Sequence, residues 1–193
     1  GSARTLAERF LSPRRAVGLF LWTGDCLPSA ADLALPAKDG MLNMNGGGGR
    51  YDARFPSYAY LWPLSRVAGG IRQVYAPAYN ENDFTNLWTG PYYGYREAKE
   101  TFERTGAGRR VKPVDVYVHF YSAERHASLE ALRGVYDWAH SQPFIPVFGG
   151  RYARAVSDFF AMKVYRRGMN RFLLEGGPAV RTARFDAPGA VVD

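Results

Sequence analysis

Apolar and polar positions along this chain fall into blocks that read as alternating strands and helices. Residues 17–22 form an apolar run that stops at Asp25, which predicts a buried strand. Residues 28–38 follow as a short helix closed by Gly40, with Pro36 inside it expected to remove a turn. Residues 41–45 predict a second strand that runs into Gly46 to Gly49, and 71–76 a third. Between them, 46–70 has little periodicity and many Gly, Tyr and Pro residues. It predicts a long surface loop, of the kind a compact domain keeps for a function.

The pattern continues with a polar, aromatic loop over 77–91 and a charged helix from about 95 to 104. Residues 114–120 are β-branched and aromatic and give the clearest strand prediction, ending at His119 and Tyr121. Leu129, Leu132, Val135, Tyr136 and Ala139 recur at helical spacing, so 128–141 predicts an amphipathic helix. A fifth strand is expected at 144–148, and a further helix from Tyr152 through 162–164 to Gly168. Two strands, 171–174 and 179–185, then follow without a helix between them. Strands alternating with helices imply an α/β fold with a mostly parallel sheet, open or closed into a barrel. The expected organisation is a lead-in over 1–17 with a tag remnant at Gly1-Ser2, an α/β domain over 18–168, and the start of an all-β module over 169–193.

Composition narrows the function classes. With 193 residues, 47% of them hydrophobic, the chain can bury a sizeable core, and it contains no apolar run of ~18 residues, so no membrane span is expected. The net charge of +7 comes mainly from 21 arginines against 4 lysines, spread along the chain in single positions and pairs. Nucleic-acid binders concentrate such charge on one face, so no nucleic-acid partner is expected. The single cysteine, Cys26, excludes an internal disulfide and a multi-thiolate metal site, and reads as a small core thiol. Gly46 to Gly49 lacks the Gly-Lys-Ser/Thr ending of a phosphate loop, and no Gly-x-Ser-x-Gly elbow is present.

Candidate chemistry gathers at one rim. Asp25, Asn43, Asn45, Asn80, Glu81, Asn82, Asn86 and His119 all lie at or just beyond the C-terminal ends of expected strands, where α/β folds present reacting groups. Asp25, Glu81 and His119 are suited to proton transfer, and the amides to holding sugar hydroxyls. Trp22, Trp62, Trp88, Tyr92 and Tyr93 could stack on pyranose faces, with Trp22 the one expected in the core. Asp115 shares a strand face with His119 if the pleat is regular. His126 and His140 read as surface residues, and the spacing 119, 126, 140 fits no compact metal-ligand pattern.

Taken together, Leu21-Trp-Thr-Gly-Asp-Cys-Leu-Pro28, Leu42-Asn-Met-Asn-Gly-Gly47, Val74-Tyr-Ala-Pro77, Asn80-Glu-Asn82, Thr85-Asn86, Val118-His-Phe-Tyr-Ser122 and Arg181-Thr-Ala-Arg-Phe185 resemble the C-terminal half of the deacetylase region of the Pel exopolysaccharide deacetylases, relatives of the NodB-like polysaccharide deacetylases. The resemblance runs from about residue 18 to 185. It implies a partial or distorted (β/α) barrel of NodB-like type, followed by a jelly-roll-like module. It also implies part of a metal-dependent hydrolase that removes acetyl groups from an N-acetylated exopolysaccharide of the biofilm matrix, in the bacterial periplasm.

Such enzymes hold a divalent metal, often zinc, with an aspartate and a His-x-x-x-His motif. This chain has neither that motif nor a Thr-Phe-Asp-Asp strand end, so the resemblance places the ligands outside these residues and implies that the chain alone is inactive. The expected partners are the polysaccharide, the missing barrel segment or another chain, and other exopolysaccharide secretion proteins. By the same resemblance His119 is the general acid, Asp25 orients a charged partner or the substrate, and Asn43, Asn45, Asn80, Glu81, Asn82, Asn86, Trp88, Tyr92 and Tyr121 contribute to the sugar groove. Two alternatives are a non-catalytic glycan-binding domain and a glycoside hydrolase-like barrel using Asp25 and Glu81 as its carboxylate pair.

Overall fold

The structure, a computed structural model, describes residues 2–11, 17–169, 171–180 and 182. Its centre is a four-stranded sheet made of β1 (Leu19–Leu21), β2 (Leu42–Gly47), β3 (Ser65–Ala68) and β4 (Ile71–Ala76), in the order β1-β2-β4-β3. β1, β2 and β4 are parallel, with Leu21 opposite Met44 and Met44 opposite Val74. β3 closes one side as an antiparallel hairpin with β4. The fold is therefore mixed α/β with a mixed sheet, and among the described residues no barrel closes. Nor is any helix among them long and apolar enough to cross a membrane.

The β2–β4 register shifts between Met44 and Gly47 because the chain enters positive φ at Asn45 (97°) and stays there through Gly46 and Gly47. Gly47 is required: a Cβ there would lie 2.4 Å from the Tyr75 ring. This kink carries the chain away from the sheet and onto the rim. The following segment was expected to be a plain loop. It contains instead a short 3-10 turn (Tyr58–Tyr60) and β3, whose pairing with β4 returns it to the sheet.

One face of the sheet is covered by α2 (Ala30–Lys38). Ser29 accepts from the Asp32 amide while the Asp32 carboxylate accepts from the Ser29 amide, a reciprocal cap that starts the helix, and Leu33 is fully buried. The helix runs through Pro36 to Lys38, so the expected loss of a turn does not occur. The other face is covered by α6 (Gly149–Ala161), with Ala153 and Val156 against Met44 and Val74.

A second core lies beside the sheet. Phe84, Tyr95, Ala98 and Phe102 meet Ala131 and Val135, joining α4 (Ala98–Arg104) to α5 (His126–Ser141). Val114, Val116 and Val118 pack onto this core at alternate positions, so residues 113–119 keep the period-two pattern of a strand. They form no ladder, and the expected strand at 114–120 is an extended segment ending in a 3-10 turn (Phe120–Ala123).

Two further expectations are corrected. Residues 144–148 are not a strand, and Ile145, Val147 and Phe148 are exposed: an apolar run becomes a strand only where a neighbour supplies hydrogen bonds. The last helix ends at Ala161 rather than continuing through 164. The chain then pairs β5 (Lys163–Arg166) with β6 (Phe172–Glu175) in an antiparallel hairpin whose turn contains the expected boundary at 169. Of the strand expected at 179–185, residues 179, 180 and 182 are not in strand conformation, and 181 and 183–185 lie outside the described residues. A short α1 (Ser2–Glu8) precedes the sheet.

Candidate active site

Asn80 sets the geometry of the rim. Its side chain accepts from the Asn82 amide at 3.0 Å and caps a single helical turn, α3 (Glu81–Phe84), directly after β4. The cap turns Glu81 inward, where it is 1% exposed. His119 arrives from the extended segment, whose period-two pattern puts the valines on the core and Tyr117 and His119 on the opposite side. Glu81 Oε1 lies 2.7 Å from His119 Nδ1, and both carboxylate oxygens accept from the His119 backbone amide at 3.2 Å.

A carboxylate only accepts, so Nδ1 carries the ring proton and Nε2 is left for chemistry. The imidazole is also held face to face by Tyr121, at 4.9 Å and 6°, with Tyr117 tilted beside it at 5.8 Å. Its side chain remains 38% exposed, enough for a substrate atom to reach it.

An aromatic row leads away from His119. Tyr121 exchanges hydrogen bonds with the Asn82 side chain at 3.0 and 3.1 Å and meets Trp88 edge-on at 5.1 Å. Trp88 meets Tyr92 at 5.9 Å, and Arg125 sits 4.1 Å over the Tyr92 ring. Asn82, Leu87, Trp88, Tyr121 and Glu124 line an open groove of about 440 Å³. The loop that presents Trp88 has Asn86, Leu87 and Trp88 at φ 51°, 52° and 67°. Left-handed backbone in non-glycine residues costs roughly 1–3 kcal/mol each and persists where surrounding bonds enforce it. Here Thr85 Oγ accepts from the Trp88 amide and Asn82 O from the Leu87 amide.

Asp25 stands apart from this pair. It is exposed, accepts from the Leu27 amide at 3.1 Å, and lines a separate cavity of about 190 Å³ with Asn80, Tyr79 and Tyr117. Tyr117 is the link between the two: it faces Cys26 and Asn80 on one side and His119 on the other. Cys26 is buried beside Asp25, as the core-thiol expectation has it, and burial pushes its thiol up, away from the reactive thiolate.

Asn43 and Asn45 hold the frame under the rim. Asn43 accepts from the Trp22 indole and donates to Arg72 O, while Asn45 donates to Trp22 O. Asn86 is exposed and bonds to Thr89. His126 opens α5 and His140 lies in its last turn, both exposed as expected.

The structure thus brings Glu81, Asn82, Trp88, Tyr92, His119 and Tyr121 together, with Asn80 capping their turn and sharing a neighbouring cavity with Asp25, while Asn43 and Asn45 bond to the strand frame. Two assignments sharpen. Glu81 serves as the positioning carboxylate of His119 rather than as part of the groove surface, and Tyr117 joins the site. The sequence signals the capped turn, as an Asn followed by acidic residues, but not the partner that Glu81 meets. Of the two carboxylates, Glu81 is buried with its oxygens on His119, whereas Asp25 is exposed and lines another cavity. Among the described residues no group of three or more His, Cys, Asp and Glu side chains is placed to hold a metal ion.

Fold and site together define an open α/β unit that presents a carboxylate-oriented histidine beside an aromatic groove. Comparison with protein-family models, with curated proteins and with solved structures finds no match for the chain.

Proposed function

We propose that this chain supplies the proton-donating wall and the sugar groove of a polysaccharide N-deacetylase acting on an N-acetylated exopolysaccharide, its sheet forming part of a NodB-like (β/α) barrel. The observation that carries the reading is the Glu81–His119 pair, with Nδ1 tied to a buried carboxylate at 2.7 Å and Nε2 left beside the aromatic row. Hydrolysis of an acetamide adds water to the carbonyl carbon and breaks the C–N bond. The departing nitrogen is a poor leaving group until it takes a proton.

His119 in its protonated form donates that proton from Nε2, while Glu81 holds the ring and stabilises its positive charge through Nδ1. Trp88, Tyr92 and Tyr121 offer apolar faces to the sugar, and Asn82 is placed to meet hydroxyls. A divalent metal, zinc in the NodB-like enzymes, would supply polarisation of the carbonyl and activation of water. In this proposal its ligands come from another segment or chain, and no residue described here is assigned to it. Action in the periplasm with other exopolysaccharide secretion proteins belongs to the same proposal.

The test is acetate release by the complete enzyme carrying His119→Ala. A loss of about 10²- to 10⁴-fold, the range for a general acid, is expected with the fold retained. Near-normal release overturns the assignment. Retained binding of oligosaccharide with no acetate release from the unsubstituted enzyme would identify a glycan-binding module instead.

A further inference from the structure

The segment between β2 and β3 builds a second groove that the proton-transfer site does not use. Tyr60 and Trp62 stand on it at 48% and 46% exposure. Large aromatic rings held half in solvent lose burial energy, so the way they are fixed matters.

Trp62 is fixed from several sides. Its amide donates to Gly48 O at 2.9 Å, its indole to the Tyr79 hydroxyl at 3.1 Å, and its ring stands edge-on to Tyr75 at 5.7 Å and 89°. The ammonium of buried Lys112 is spent on the carbonyls of Trp62 and Pro63. Tyr60 is held through its carbonyl by the Arg50 amide and edge-on by Phe55 at 5.1 Å.

The groove measures about 460 Å³, within the range of small-ligand sites. Arg50 and Asp83 are on its wall. Arg50 is nearly fully buried between the Phe55 and Phe84 rings and binds Asp52 at 2.6 Å, Glu97 at 2.7 Å and Asp83 at 3.5 Å, which leaves Asp83 partly open to the groove. Rigid aromatic faces above a fixed, charged hydrogen-bonding wall suit a ring with one apolar face and a hydroxylated edge.

We infer that the Tyr60–Trp62 groove is a second saccharide subsite, which takes a sugar unit of the same polymer whose acetylated unit lies at His119. The inference rests on the reading of the chain as a polysaccharide deacetylase. Continuity of the surface supports it. Asp83 on this groove neighbours Asn82 on the Trp88 groove, both on α3, and a shallow pocket of about 400 Å³ containing Asp83, Asn86 and Arg54 adjoins them. Tyr79 belongs both to this groove and to the Asp25 cavity. A polymer crossing α3 therefore touches both aromatic sets.

The experiment is calorimetric titration of the full chain with a dimer and a hexamer of β-linked N-acetylhexosamine. The parent is expected to prefer the hexamer by tenfold or more, and Trp62→Ala to lose that preference while Trp62→Phe keeps most of it. Tyr60→Ala, at a ring that makes no hydrogen bond among the described residues, is the second variant and is expected to weaken hexamer binding several-fold. A hexamer preference that survives in both alanine variants overturns the inference, as does failure of the parent to bind any oligomer. Acetate release from the His119→Ala enzyme tests the underlying reading separately: loss of that dependence with an intact Trp62 effect defeats only the deacetylase reading.

Discussion

The Glu81–His119 pair makes a prediction that needs no substrate. Glu81 is 1% exposed and accepts at 2.7 Å from the ring and at 3.2 Å from the backbone amide of one residue. Hydrogen bonds to a charged group contribute about 1.5–3 kcal/mol, and the exposure of the imidazole places this one toward the lower end. Glu81→Gln keeps the shape and one acceptor but loses the charge and the second acceptor, so a loss of about 2 kcal/mol is expected. For a chain of this size that lowers Tm by about 4–8 °C.

His119→Ala removes the ring and leaves the buried carboxylate with the backbone amide alone. The double variant removes both halves of the bond, so its loss is expected to fall short of the sum of the singles by about 1–2 kcal/mol. Urea unfolding of the four proteins measures all three quantities. Additivity within about 0.5 kcal/mol would show that the two residues are not energetically coupled and would remove the basis for calling Glu81 a positioning residue.

Three further outcomes follow from the same structure. Burial pushes Lys112 down to about 8. Between that value and its ordinary value near 10.5 the unfolded chain holds a proton that the folded chain has released, so stability rises with pH across the window, by about 3 kcal/mol in total. Lys112→Met is expected to flatten that rise in urea titrations at pH 8 to 10.5. Burial raises the Asp115 carboxyl, so its ionised form costs stability at neutral pH and the cost disappears as pH falls below the unfolded value. Asp115→Asn is therefore expected to stabilise the protein at pH 7 and to do so less at pH 3, read as urea midpoints. Gly47→Ala forces a Cβ into the Tyr75 ring at φ 62° and is expected to cost about 2–4 kcal/mol, read as a lower urea midpoint.

The sheet strands β2 and β4 were legible because each is a short segment bounded by glycine or proline turn signals, with apolar Met44 and Val74 that the fold buries. The run at 144–148 is more uniformly apolar and forms no strand, since whether an apolar run finds a hydrogen-bonding neighbour is decided by distant residues. Residues 113–119 show the intermediate case: their alternation is real and is used for packing, but no ladder forms. At the rim, His119, Asn82, Trp88 and Tyr121 could be read from residue type and position. The inward turn of Glu81 could not, because it depends on the Asn80 cap and on His119 arriving 38 residues later to occupy its oxygens. The Lys112 contact with Trp62 spans 50 residues and has no local signature at all.

The run from Tyr79 to Asp83 has a consequence for how this chain can vary. Tyr79 braces the Trp62 indole, Asn80 caps the turn, Glu81 holds His119, Asn82 meets Tyr121, and Asp83 pairs with Arg50. Neighbouring side chains thus answer to different parts of the surface, and from Glu81 on their directions are set by rotation about one helical turn. Deleting or inserting one residue would turn each later side chain by about 100° toward the wrong partner. Substitutions here are graded in effect, whereas a change in length disconnects both grooves at once, so this pentapeptide sets the spacing on which any descendant of this chain must be built.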